Sequence, residues 1–157
     1  MPRKKKQDDA LAALLEAATS RTVMDLLVRL AATRPDVRRE CFNYLKKHVT
    51  LSARQQKQSE GEVLLALWSE LAPDLDELDD YGGGDYGLVD HVGTLLYEIE
   101  QKLSRKNRIE ARFRHELLDN VLPYIESGNA GLDDALYDVA YATCYDNNDL
   151  RALAEAF

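Results

Sequence analysis

The sequence is poor in the residues that form disulfides and zinc sites. Among 157 residues only Cys41 and Cys144 are cysteines, and only three are histidines. No cysteine and histidine stand at the spacing of zinc ligands. Two isolated thiols on apolar helix faces are typical of buried side chains in a reducing compartment. These absences favour a cytoplasmic protein with no disulfide and no zinc site, and the sequence predicts no cofactor.

Long apolar segments are also missing. No run of 18 or more apolar residues occurs, so the sequence predicts no transmembrane helix. The N-terminus carries charge but no apolar region of the kind that defines a secretory signal. We therefore expect no membrane partner.

Positive charge is absent from the middle of the chain. No lysine or arginine occurs between Lys57 and Lys102, and that gap contains twelve acidic residues, from Glu60 to Glu100. The N-terminal tail is basic, so the rest of the chain is more acidic than the net charge of −8 indicates. An acidic body repels phosphates and disfavours general nucleic-acid binding.

Apolar residues recur at helical spacing along most of the chain, and no strand pattern is present. The sequence therefore predicts an all-α fold of about seven or eight helices without a sheet. Short connections imply antiparallel neighbours, so we expect stacked helical hairpins, as in an α-solenoid or an irregular bundle. The capping box at 59–62 opens a fourth helix, which we expect to end at Ala72, before Pro73.

The predicted organisation is one basic tail followed by one domain. Residues 1–7 lack apolar periodicity, and residues 8–157 form the helical domain. Within it an acidic, glycine-rich joint at 73–87 is expected to separate the helix groups 8–72 and 88–157. The chain stops inside an amphipathic helix without the polar cap that ends a solenoid. We therefore expect either a longer repeat array or a contact between this last helix and another chain.

The joint contains sequence patterns similar to those of nucleotide-binding and calcium-binding sites. Residues 82–87 match the dinucleotide pattern G-x-G-x-x-G, but no strand precedes them, and Asp79 and Asp85 would repel a pyrophosphate. A calcium loop starting at Asp74 fails because Leu78 occupies the fifth position, where a ligand is needed. An irregular divalent-ion site remains open, and with it a weak metal-dependent enzyme.

Other catalytic motifs fail as well. The segment His115–Asp119 approaches the zinc-protease motif H-E-x-x-H, but Asp119 replaces the second histidine. Neither a G-x-S-x-G motif nor a P-loop lysine occurs. The sequence therefore predicts no catalytic residue.

Recognition of a partner is the better interpretation of the joint. Two tyrosines flank its glycines, and aromatic residues with a polar end are enriched in protein interfaces. We predict a protein-binding surface that receives a basic segment, although packing of both tyrosines onto the chain's own helices is an alternative. The candidate residues are Asp74, Asp76, Asp79, Asp80, Tyr81, Asp85 and Tyr86.

A second function class uses the basic residues. The tail and the outer face of the third predicted helix would form one nucleic-acid-binding surface in a regulator, provided that they are continuous. The residues of this alternative are Arg3, Lys4, Lys5, Lys6, Arg38, Arg39, Lys46 and Lys47.

Two stretches, residues 80–100 (DYGGGDYGLVDHV, running on to LLYEIE) and residues 118–136 (LDNVLPYIESGNAGLDDAL), carry a family resemblance. They resemble an uncharacterised group of bacterial and archaeal helical-repeat proteins, some of them associated with SWIM-type zinc fingers. The resemblance covers about residues 60–157 and implies an all-α repeat fold without a known activity. The zinc-finger pattern C-x-C followed by C-x-H is absent, so no zinc site carries over.

Overall fold

A computed structural model describes residues 9–81, 86–105, 109–127 and 131–155. Within these ranges the chain forms eight α-helices and no strand, which confirms the all-α prediction. The helices are α1 (Ala10–Ala17), α2 (Ser20–Thr33), α3 (Pro35–His48), α4 (Ala53–Tyr81), α5 (Tyr86–Leu103), α6 (Ala111–Ser127), α7 (Asp133–Ala142) and α8 (Asn147–Glu155). None of the described helices combines the length and the apolarity that a membrane crossing requires. The basic tail at 1–7 and Asp85 lie outside the described residues.

The starts of the first three helices follow from local chemistry. The Asp9 carboxylate accepts a hydrogen bond from the Leu11 amide, and the Thr19 hydroxyl accepts one from the Thr22 amide. Both satisfy amides that an isolated helix start leaves without a partner. Pro35 opens α3 at a position where its missing N–H is not needed.

The predicted end of the fourth helix at Ala72 is wrong. α4 continues through Pro73 to Tyr81, so residues 73–81 of the predicted joint are helical. An internal proline costs a helix about 3 kcal/mol. Beyond it, Leu75 and Leu78 continue the buried stripe of α4, and each buried leucine contributes about 1.5–3 kcal/mol. Burial offsets the proline, and α6 likewise continues through Pro123.

One hydrophobic core unites α4 with the helices that follow it. α4 packs against α3, α5 and α6, while α7 packs against α5, α6 and α8. Helices on both sides of the predicted joint at 73–87 therefore contribute to the same core. Residues that this core buries include Leu64, Leu67, Leu71, Leu96, Ile99, Leu117, Leu136 and Leu153.

The first three helices stand outside this core, and we call residues 10–48 the N-terminal arm. None of its residues is buried. α3 packs against α4, with Phe42 half-buried against the core, and α2 packs against α3. α1 packs extensively against no described helix. The arm therefore presents to solvent the large apolar side chains that its periodicity assigned to a core.

The last described helix packs inward. Leu153 of α8 is only 3% exposed and belongs to the core. A contact between this helix and another chain, as the sequence predicts, would have to use other side chains. Phe157 lies outside the described residues.

Gly61 lies where α4 and α6 approach each other closely. A Cβ atom placed on Gly61 would overlap the ring of Phe113, which is itself buried. A Cβ atom placed on Gly93 of α5 would meet no other atom within 4 Å. The two glycines therefore differ in what an added methyl group meets.

We expect Gly61→Ala and Gly93→Ala to change stability in opposite directions. The first should destabilise the fold by about 1–3 kcal/mol, because Phe113 must move within a filled core. The second should stabilise it by about 0.5–1 kcal/mol, because alanine has the higher helix propensity. Chemical denaturation of both variants measures the difference. Equal effects of the two substitutions would contradict the close α4–α6 contact.

Candidate functional site

The acidic residues that the sequence singled out lie where α4 ends and α5 begins. Leu75 and Leu78 face the core, and the intervening carboxylates face outward. We call this surface the acidic end. Its described members are Asp74, Asp76, Glu77, Asp79, Asp80, Tyr81, Tyr86 and Asp90.

Both predicted anchor tyrosines are open to solvent. Tyr81 ends α4 and is 79% exposed, and Tyr86 begins α5 and is 89% exposed. The alternative interpretation, in which they pack onto the chain's own helices, is wrong for both side chains. Two large aromatic rings thus stand beside the carboxylates without burying their own surface.

The electrostatics of the acidic end favour a cation. Within the described ranges Asp76, Glu77 and Asp80 form no ion pair with lysine or arginine. Asp74 has the imidazole of His91 nearby, with Oδ2 to Nε2 at 3.8 Å. The C-terminus of a helix also carries a partial negative charge, which adds to that of the carboxylates. Carboxylates in this position destabilise the last turn of α4, and a bound cation would relieve that repulsion.

One carboxylate of the acidic end is held in place by the core. The Tyr124 hydroxyl donates a hydrogen bond of 2.5 Å to Oδ1 of Asp76. The Tyr124 ring meets Trp68 edge-on, with ring centroids 5.6 Å apart. Burial, and then the bond to Asp76, raises the pKa of Tyr124 to about 12, so the phenol remains a donor at neutral pH. Asp76 is therefore oriented before any partner arrives.

The described residues give the divalent-ion alternative no supporting geometry. Among them no three histidine, cysteine, aspartate or glutamate side chains converge as metal ligands do.

The basic face of α3 turns toward α4 instead of toward solvent. Arg38 pairs with Glu62 at 2.8 Å, and Lys46 pairs with Glu60 at 2.8 Å. Arg39 makes two hydrogen bonds to Glu70, of 3.0 and 3.2 Å. We call these three contacts the ion-pair seam. It attaches the N-terminal arm to the core.

The ion-pair seam weakens the nucleic-acid alternative. That alternative uses four residues of α3. Arg38, Arg39 and Lys46 already have carboxylate partners, and of the four only Lys47 has no ion pair with a described residue. Arg3 to Lys6, which that alternative also needs, lie outside the described residues. The sequence indicates the seam, because one helix has basic residues at 38–47 and the next helix has acidic residues at 60–70.

A second polar cluster joins α6 to α8. Arg114 is 9% exposed and donates from Nη1 to the Thr143 carbonyl at 2.7 Å and to Asp149 at 2.8 Å. Its guanidinium also lies 3.8 Å from the ring centroid of Tyr145, whose hydroxyl donates to the Leu103 carbonyl. Asp149 also accepts a hydrogen bond from the Tyr145 amide, at 3.0 Å. Its partner Arg114 could not be identified because 35 residues separate them in sequence.

No family model, curated protein or solved structure matches this chain. The resemblance to helical-repeat proteins associated with SWIM-type zinc fingers therefore stays a prediction.

The ion-pair seam predicts unequal effects for two arginines of the arm. Arg39 and Glu70 are each about one-fifth exposed, whereas Arg34 and Asp36 form an exposed pair. We expect Arg39→Gln to destabilise the fold by roughly 1–3 kcal/mol, because Glu70 loses a bidentate partner. Arg34→Gln should cost at most about 0.5 kcal/mol. Urea denaturation distinguishes the two, and comparable costs would show that the seam contributes little.

Asp149 predicts a pH dependence of stability. The amide of Tyr145, and then the hydrogen bonds from Arg114 and His115, lower the pKa of Asp149 to about 2. An unfolded aspartate titrates near 3.9. The charged form therefore stabilises the fold above about pH 4, on the order of 2 kcal/mol, and this stabilisation is lost as the pH falls to about 2.

Asp149→Asn tests this contribution. The variant should unfold more easily than the wild type at pH 6, and the difference should close as the pH approaches 2, because the wild-type carboxylate then becomes neutral. Urea denaturation at a series of pH values measures it. A difference that stays constant over this range would mean that the charge of Asp149 is not what stabilises the cluster.

Proposed function

We propose that this chain is a non-catalytic helical protein-interaction module whose acidic end binds a basic segment of a partner protein. One observation carries the proposal. Exposed carboxylates, two exposed tyrosines and a helix C-terminus lie together in a region without lysine or arginine.

The acidic end offers both charge and shape to such a segment. Lysine and arginine side chains would pair with Asp80 and Glu77, while a guanidinium or a lysine stem stacks on Tyr81 or Tyr86. The Tyr124 hydroxyl already orients Asp76. The conformational entropy of that side chain is therefore not lost again when a partner binds. Long-range attraction would speed association and make it sensitive to salt.

The proposal includes a cytoplasmic location and no cofactor. The location rests on the two free cysteines, Cys41 and Cys144, which are half-buried and far apart in sequence. The expectation of no cofactor rests on the failure of the dinucleotide and zinc patterns in the sequence. Burial raises the pKa of the Cys144 thiol, which reduces its reactivity at neutral pH.

Paired variants of the acidic end test the proposal. We expect a fluorescent peptide of alternating basic and small residues to bind the wild type more tightly at low salt than at high salt. Glu77→Gln with Asp80→Asn, and separately Tyr81→Ala with Tyr86→Ala, should each weaken binding by about tenfold. Fluorescence anisotropy measures the affinities. Asp138→Asn with Glu155→Gln removes two exposed carboxylates from other helices and should leave the affinity within about twofold.

The same variants serve in affinity capture from cells, with the captured proteins identified by mass spectrometry. Proteins retained by the wild type and by the Asp138/Glu155 control, but lost from the Glu77/Asp80 variant, would support the site. Undiminished peptide binding by both acidic-end variants would refute it. A duplex DNA probe that binds with a steep salt dependence would favour the nucleic-acid alternative instead.

A further inference from the structure

An apolar cleft opens between α2 and α3 on the side of the arm that faces away from α4. Its volume is about 470 Å³, and Leu27, Val37, Cys41, Tyr44 and Leu45 line its floor. Two carboxylates, Asp36 and Glu40, belong to its lining as well. Leu27, Tyr44 and Leu45 each remain between 46% and 63% exposed, so nothing in the described chain fills the cleft.

The arm also contains a helix without a packing partner. Of the eight residues of α1, seven are alanine or leucine. Leu11, Leu14 and Leu15 form one stripe at i, i+3 and i+4, and they are 58%, 69% and 40% exposed. A helix this short is not stable alone in water. The stripe has the spacing with which amphipathic helices enter apolar grooves.

We propose that α1 of one chain occupies the α2–α3 cleft of a second copy, and that the exchange is reciprocal. Each copy then supplies one helix and one cleft, so a two-fold axis closes the assembly as a dimer. The proposal uses no residue of the acidic end and is independent of the proposed function.

The connection between α1 and α2 explains why α1 does not enter the cleft of its own chain. Only Ala18 and Thr19 separate the helices, and both have extended backbone angles, with ψ of 150° and 155°. The three Cα–Cα steps from Ala17 to Ser20 therefore lead away from the end of α1 over about 10 Å without a turn. In this conformation α1 packs extensively against neither α2 nor α3, so it does not fill the cleft between them.

The charges of the two surfaces complement each other. Arg3, Lys4, Lys5 and Lys6 precede α1 in sequence. In the cleft Asp36 is already paired with Arg34, whereas Glu40 is 71% exposed with Arg39 at 3.5 Å, so Glu40 is the carboxylate that the basic residues would meet. From residue 9 to residue 34 the chain has three acidic and three basic residues, so this part is neutral although the whole carries −8. Two copies therefore approach through the arm without the repulsion that their acidic surfaces would cause.

The exposed apolar surface of the arm is large enough for a stable dimer. Eleven large apolar residues of residues 9–49 are between 40% and 69% exposed. Together they present on the order of 1,000 Å² per copy, against the roughly 800 Å² per partner that a standard interface buries. Six of the eleven belong to α1 or to the cleft, and an exposed apolar area of this kind marks an interaction site. They are Leu11, Leu14, Leu15, Leu27, Tyr44 and Leu45.

Sedimentation and light scattering of the 157-residue chain test the dimer. We expect the mass of two chains, twice 17.8 kDa. Leu14→Glu on α1 and Leu27→Glu in the cleft should each weaken the dimer by at least about tenfold, while Tyr97→Glu, an exposed aromatic on α5, should not. Because Leu14 packs on no core residue, thermal unfolding of the Leu14→Glu core should be unchanged. A wild type that is monomeric at all concentrations overturns the proposal, as does a dimer that survives both substitutions.

Mixing the two variants tests the reciprocity. The Leu27→Glu chain keeps an intact α1, and the Leu14→Glu chain keeps an intact cleft. An equimolar mixture should form a heterodimer held by one of the two contacts, although neither variant dimerises as well alone. A mixture that shows no more association than its components would refute the pairing of α1 with the cleft.

A cysteine pair identifies the occupant directly. Cys41 lies in the cleft, so Leu14→Cys in a Cys144→Ser background places one thiol on each contacting surface. Oxidation with oxidised glutathione should produce a disulfide-linked dimer on a non-reducing gel, and Cys41→Ser should abolish it. An internal disulfide in a monomer would show that α1 enters its own cleft, and no disulfide at all would show that α1 enters neither. Either result overturns the exchange.

Discussion

The fold depends on the two-sided character of α4. Its leucines, from Leu64 to Leu78, form one continuous buried stripe that meets α5 and α6. Its carboxylates lie on the remaining surface and meet α3 through the ion-pair seam. Because the buried stripe continues past Pro73, α4 remains helical as far as Tyr81. Its last acidic residues therefore lie on the outer face of a regular helix. Burial of one face of α4 thus decides where the charge of the other face is displayed.

The position of α3 divides the acidic residues of α4 into two sets. Glu60, Glu62 and Glu70 lie under α3 and are paired with its cations. Asp76 and Asp80 lie beyond its reach. Pairing neutralises the first set and makes it part of the arm's attachment, whereas the second set keeps its full field. The acidic residues of α4 that the seam does not neutralise therefore lie together at one end of the helix, and that concentration separates a candidate site from an ordinary solvated face.

Helical periodicity was enough to predict the all-α fold and much of the core. Val63, Leu64, Leu67, Trp68 and Leu71 follow helical spacing in the sequence, and all are buried. α4 extends beyond its predicted end because the local preference against an internal proline does not include the burial of Leu75 and Leu78, which offsets it. The clustering of carboxylates and tyrosines at the acidic end is predictable because charged and aromatic residues are visible in sequence.

Periodicity identifies an apolar face but not what covers it, and this limit explains the arm. Leu11 and Leu14 have the same spacing as the buried leucines of α4, yet they are mostly exposed. The partners of Arg38, Arg39 and Lys46 were equally hidden, because pairing between helices depends on their arrangement in space. Charge alone therefore suggested a nucleic-acid face where the structure has an ion-pair seam.

The arm and the acidic end occupy different stretches of α4, and this separation has a functional consequence. α3 pairs with α4 at residues 60–70, while the acidic end begins at residue 74. A dimer joined through the arms leaves both acidic ends accessible and presents two of them in one particle. Two linked sites raise the avidity for a partner with repeated basic segments without any new contact. Deletion of α1 would then weaken such binding only by reducing the number of linked sites from two to one. Loss of the acidic end would abolish the binding even in an intact dimer.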